Sequence, residues 1–152
     1  MPAPFVVRRE TLIPAPPATV FAYLTDPEKI VSWMGAEAET ETHPGGLYLL
    51  KGIGGDPNRA ARGTFREVVP VHRLAYSFGW EGNEAVPPGS SLVEIDLIER
   101  DDGNLVHLTH SGLPDAEHQE SHGRGWDHYL NRLAMVLAGR DPGVDNFPPR
   151  RS

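Results

Sequence analysis

The chain has 152 residues, enough for one domain with a sizeable core, and 14 Lys and Arg against 21 Asp and Glu give a net charge of −7. That balance disfavours nucleic acid or an anionic membrane as partner, and Arg140, Arg150 and Arg151 are too sparse to reverse it. There is no cysteine, which excludes disulfides, thiolate metal sites and a thiol nucleophile, and agrees with a cytoplasmic location.

The opening MPAPFVVRRETLIPAP has no apolar run of signal-peptide length, and no later segment is apolar enough to span a bilayer. Residues 5–13, FVVRRETLI, read as a first strand closed by Pro14. APPATVFAYLTD suits a short helix, because prolines are tolerated in a first turn and Val20, Phe21 and Leu24 share a face. Asp26-Pro27-Glu28 starts a second, with Asp as N-cap, Pro at the first helical position and an acid in the first turn, running to about Trp33.

The middle of the chain predicts an antiparallel meander. GGLYLLKGI, ARGTFREVVP, HRLAYSFGW, SLVEIDLIER and NLVHLTHSG are rich in β-branched and aromatic residues and are separated by Gly, Pro and Asp clusters, with Asp102-Gly103 a strong hairpin signal. GIGGDPN lacks the spacing and the lysine of a phosphate-binding loop and reads as a turn. Alternation places Leu74, Tyr76, Phe78 and Trp80 on one face, and Val93, Ile95 and Leu97 opposite Glu94 and Asp96. Val106, Leu108 and His110 share a face, with His107 and Thr109 on the other.

The cover for the apolar face is the last helix. Trp126, Tyr129, Leu130, Leu133, Val136 and Leu137 fall in a wedge about 120° wide, with Asp127, His128, Asn131 and Arg132 outside it. Gly139 and Pro142 end the helix. Upstream, EHQESH sets His118 and His122 one helical turn apart, but the residue after His118 is Gln119, not the Glu of a zinc protease helix. Gly123 and Gly125 leave two readings open: the helix reaches back through His122, or both histidines sit in a loop.

Strand, two short helices, antiparallel strands and a long C-terminal helix is the order of the helix-grip fold. The chain resembles the START-like (SRPBCC, Bet v 1-like) superfamily, and within it the activator-of-Hsp90-ATPase-homologue (AHSA1-like) group. The resemblance is carried by TLIPAPPATVFAYLTDPEKIVSWM, GTFREVVPVHRLAYSF, LVHLTHSGL and GWDHYLNRLAMVL, in order over nearly the whole chain. It implies an α+β fold with a cavity between the C-terminal helix and a curved sheet, as a single domain over 1–152 with 141–152 a flexible tail. Relatives in the wider superfamily bind lipids, hormones or polyketides, and some catalyse cyclisation. A few similar domains protect against enediyne antibiotics by sacrificing their own backbone.

The expected function is therefore binding of a small hydrophobic molecule, with no cofactor and no metal. The expected lining is Trp33, Phe65, Tyr76, Phe78, Trp80, His110, His122, Trp126, Tyr129, Leu130 and Leu133, each of which also suits plain core packing. The alternative is a cavity enzyme of cyclase, dehydratase or hydrolase type, using His110 with Glu67 or Tyr76 as acid and base. Glu67 reaches the cavity only if it shares the face of Phe65; in a shifted register it faces solvent. Further alternatives are a chaperone-type interaction module and the sacrificial resistance protein, and a homodimer through an edge strand is compatible with the sequence.

Overall fold

The computed structural model describes residues 5–145. Its elements are β1 (Val7–Ile13), α1 (Pro17–Thr25), α2 (Pro27–Ile30), β2 (Glu37–Thr40), β3 (Leu47–Lys51), a 3-10 turn (Ile53–Gly55), β4 (Ala60–Val69), β5 (Arg73–Phe78), β6 (Ser91–Arg100), β7 (Gly103–Ser111) and α3 (Ala116–Leu137). Among the described residues seven strands form one antiparallel sheet in the order β1-β7-β6-β5-β4-β3-β2. The first two strands in sequence thus lie at opposite edges, and α1 and α2 carry the chain across between them. With α3 packed on the β1 side, this is the helix-grip α+β architecture.

Local chemistry sets the boundaries. The Asp26 side chain accepts from the Glu28 N–H at 3.0 Å and Pro27 fixes the first turn of α2. That helix stops at Ile30, short of Trp33, and residues 31–34 continue as turns. Strand β2, EAET, is absent from the sequence reading, since alternating acids with small residues leave no apolar signature. It is a short, charged edge strand.

Burial alternates strictly along β6 and β7, whereas β5 is buried at consecutive positions from Leu74 to Phe78. Ser91, Val93, Ile95 and Leu97 of β6 and Asn104, Val106, Leu108 and His110 of β7 point inward. The two short helices, α1 and α2, pack near β6 and β2. The rest is closed by α3.

Helix α3 begins at Asp115, whose carboxylate caps the His118 N–H at 2.9 Å. It runs unbroken through both glycines. Gly in a helix interior costs roughly 1 kcal/mol relative to Ala, and at Gly123 the missing side chain has a use: a Cβ there would lie 2.6 Å from an Arg9 guanidinium nitrogen. Arg9 passes over that gap to meet Asp127, Nε to Oδ1, at 2.6 Å. Trp126, Tyr129, Leu130 and Leu133 are buried as the wedge predicts.

Arg132 corrects the wedge, being only 7 % exposed. Its Nε donates to the Trp33 carbonyl at 2.9 Å and its Nη1 to the Pro142 and Gly143 carbonyls, both at 3.1 Å. Residues 141–145 of the expected tail are held in part by these bonds. Arg150, Arg151 and the rest of 146–152 lie outside the described residues.

Candidate functional site

Two tryptophan–histidine pairs meet around Phe78 where α3 crosses the inner face of the sheet. The Trp126 indole N–H donates to His110 Nδ1 at 3.0 Å. An indole nitrogen only donates, so Nδ1 is the acceptor nitrogen and the ring proton sits on Nε2. Nε2 donates to Ser91 Oγ at 2.8 Å, and Ser91 donates to the Phe78 carbonyl at 2.7 Å. Every polar atom in this chain of four residues has a partner.

The second pair mirrors the first with the opposite tautomer. The Trp80 indole N–H donates to His122 Nε2 at 3.0 Å, leaving the proton on Nδ1, which donates to the His118 carbonyl at 2.7 Å. Phe78 sits edge-on to Trp80, His110 and His122, with centroids 5.3, 5.0 and 6.5 Å away. The two imidazoles are themselves 5.3 Å apart and perpendicular.

Burial decides the charge state. His110 is 0 % exposed, and desolvation, reinforced by His122 beside it, lowers its pKa from 6.5 to about 3. His122 is shifted down as well, again first by desolvation, against the pull of its bond to the His118 carbonyl. At neutral pH both rings are neutral acceptors for indole protons. This fixes their geometry and leaves neither ring with an unpartnered nitrogen.

The same bonding bears on metals. His118 and His122 do lie on one turn of α3, with centroids 6.3 Å apart. However, His118 Nδ1 is 2.8 Å from its own cap, Asp115, and both nitrogens of His122 are engaged. Among the described residues no three potential ligands stand together.

The remaining candidates divide among three places. Phe65 and Tyr76 belong to a second aromatic cluster with Tyr48, which stacks on Tyr76 at 4.1 Å. Burial pushes the Tyr48 hydroxyl up to about 12 and raises that of Tyr76 well above its ordinary value as well. Leu130 and Leu133 are core. Trp33 meets α3 at Arg132, ten residues beyond His122 and so about 15 Å further along the helix.

Glu67 must be corrected. The register shifts between Phe65 and Glu67, so that Phe65 faces Tyr76 while Glu67 faces Ala75. This bulge inserts one residue and turns Glu67 to the outer face of the sheet. There it accepts from Arg73 Nε at 2.8 Å, and Arg73 also binds Glu94 and Asp96. Glu67 and His110 are on opposite faces and form no acid/base pair. Tyr76 is likewise spent on Tyr48.

Several members of the site escape sequence reading. Ser91 carried a usable signal, since it shares the alternation of Val93 and Ile95. Arg59 and Asp145 carried none. Arg59 lies 4.8 Å over the Trp80 ring. Asp145 folds back onto α3, with the Tyr129 hydroxyl 2.9 Å from its Oδ2, the Gly54 N–H donating to Oδ2 at 3.2 Å and His128 Nε2 3.3 Å from Oδ1. Burial and the Asp145 charge push the Tyr129 pKa well up. A carboxylate meeting two α3 residues and a glycine turn depends on loop paths that no periodicity encodes.

Fold and site together define a helix-grip domain whose inner aromatic wall has its polar atoms satisfied internally. The chain belongs to the family described as activator of Hsp90 ATPase homolog 1-like protein, whose model matches residues 14–138. The AHSA1-like protein of Rhizobium etli, known as a solution NMR structure, is 63% identical over 97% of this chain and 91% of its own, with a TM-score of 0.73. CalU16 of Micromonospora echinospora is 29% identical over 88% of this chain and 74% of its own, with a TM-score of 0.67. DynU16, from the dynemicin biosynthetic locus, shares the fold at 22% identity and a TM-score of 0.79, matched over 93% of this chain and 50% of its own. A comparison with curated protein sequences gave no match.

Proposed function

We propose that the chain binds a small apolar molecule between α3 and the inner face of the sheet, against Phe78, Trp80, Trp126 and Tyr129. One observation carries this reading. The indole N–H groups of buried Trp126 and half-buried Trp80 are both consumed by neutral histidines, so the wall offers ring surface without unmet polar groups, as an apolar ligand requires. Phe65, Tyr76, Leu130, Leu133 and Trp33 are core. The engaged nitrogens of His110 and the outward Glu67 give the acid/base alternative no support.

Titration with decanol tests the reading through the indole N–H resonances of the three tryptophans. Saturable shifts of Trp80 and Trp126, with a raised melting temperature, are expected, because a ligand bound only to the native state stabilises it. A linear, unsaturable response of all three indoles overturns it. A homodimer would use the outer edge of β1, and sedimentation as a monomer would remove that proposal. Among the described residues no helix is long and apolar enough to cross a membrane.

A further inference from the structure

The carboxylate of Asp145 is held by donors that come from two distant parts of the fold. Tyr129 and His128 are neighbours on α3, whereas the Gly54 N–H belongs to the turn between β3 and β4. That turn is shaped for the purpose: Gly52, Gly54 and Gly55 all have left-handed φ, at 75°, 71° and 78°. A Cβ on Gly55 would lie 2.8 Å from the Asp145 carbonyl oxygen. The carboxylate-bearing side chain is only 12% exposed. The Arg59 guanidinium stands on the flank, over Trp80, and its charge reaches both His122 and Tyr129.

The helix donors sit in regular structure and the acceptor does not. Tyr129 and His128 sit within a 22-residue helix. Residues 139–145 have no helix or strand, and Val144 beside Asp145 is 87% exposed. The segment buries little apolar surface, so it is held chiefly by the Arg132 bonds to the Pro142 and Gly143 carbonyls and by the bonds to Asp145 itself.

We propose that Gly54, Tyr129 and His128 form a carboxylate-recognition site which Asp145 occupies in cis, and that an apolar carboxylic acid takes its place. The proposal rests on the apolar-ligand reading and names the head group. Exchange of one carboxylate for another leaves the same donors satisfied, whereas a neutral head group would leave them poorly matched. Tyr129 belongs both to this site and to the aromatic wall, so the apolar tail of an acid bound here runs along that wall.

Decanoate and decanol, titrated separately into the full chain, test this. Asp145→Ala removes the tethered competitor and is expected to tighten decanoate binding about tenfold, as when a binding-competent state rises from a tenth to nearly all of the population. Decanol affinity should stay within about twofold, and Asp145→Asn should fall between wild type and Asp145→Ala. The Gly54 amide resonance should move in Asp145→Ala and return toward its wild-type position with decanoate but not with decanol. Tyr129→Phe should weaken decanoate by about tenfold and spare decanol. Equal gains for both probes in Asp145→Ala would make the segment a steric cover and overturn the carboxylate site. Decanoate affinity unchanged by Asp145→Ala and Asp145→Asn, with decanol still bound, overturns the site and leaves the apolar reading standing. If neither probe binds any variant, both readings fall.

Discussion

At the scale of single residues, His110 and His122 show how an ionisable ring becomes a structural acceptor. Each takes an indole proton on one nitrogen and donates from the other, so each tautomer is dictated by its tryptophan. The linkage follows from the direction of the shift. Between 6.5 and about 3 the unfolded chain binds a proton at His110 that the folded chain refuses, so this part of the stability is complete above 6.5 and is lost as pH falls. The slope is at most about 1.4 kcal/mol per pH unit, and His122 adds to it in the same direction. Urea unfolding of wild type and His110→Gln at several pH values measures it. The variant should be less stable at neutral pH by about 2 kcal/mol and should show a shallower acid slope. Equal slopes would assign the effect to another group. Nitrogen shifts of the imidazoles should report neutral His110 with its proton on Nε2 between about pH 5 and about pH 8.

At the scale of elements, the antiparallel pairing of β4 with β5 brings the site together. Phe65 pairs with Tyr76, the bulge follows on one side, and on the other an isolated bridge joins Ala61 to Trp80. Gly63 lies between, where a Cβ would stand 1.7 Å from the Ser77 carbonyl oxygen. That atom is backbone and cannot step aside, so the two strands approach this closely only with glycine here. Gly63→Ala should cost about 3 kcal/mol or more in thermal or chemical unfolding. At Gly82 a Cβ meets nothing within 4 Å, and only its φ of +76° resists, so Gly82→Ala should cost about 1 kcal/mol. If the two variants are equally stable, close approach is not what Gly63 provides. The bulge also explains why Glu67 was readable two ways: alternation counts residues, and one inserted residue inverts it.

At the scale of the whole molecule, Arg132 joins parts that the sequence leaves separate. Its guanidinium links α3 to the Trp33 carbonyl after α2 and to the carbonyls of Pro142 and Gly143, while Trp33 donates its indole N–H to the Tyr23 carbonyl at 2.9 Å. Arg132→Met keeps the buried stem and loses the donors. It should lower stability by about 2 kcal/mol. Amide exchange should quicken at residues 143–145 more than in the sheet, since those bonds hold the segment carrying Asp145. Uniformly faster exchange would show a global loss with no special tie.

The sequence by itself determined the architecture, because periodicity of two and of 3.6 residues, turn residues and helix caps are local properties written at fixed spacing. It placed His110, Val106 and Leu108 on one inner face and Trp126, Tyr129, Leu130 and Leu133 on one helix face. Tertiary structure alone decided what those faces do. Whether α3 passes through Gly123 depends on Arg9, 114 residues earlier in the chain, needing the space. Whether Glu67 points in or out depends on one bulge. The acceptors of Trp126, Trp80 and Tyr129 are set by strands and loops that meet only when the sheet curls under the helix. Hydrogen bonds between distant residues leave no period in the chain, and the candidate site is built from them.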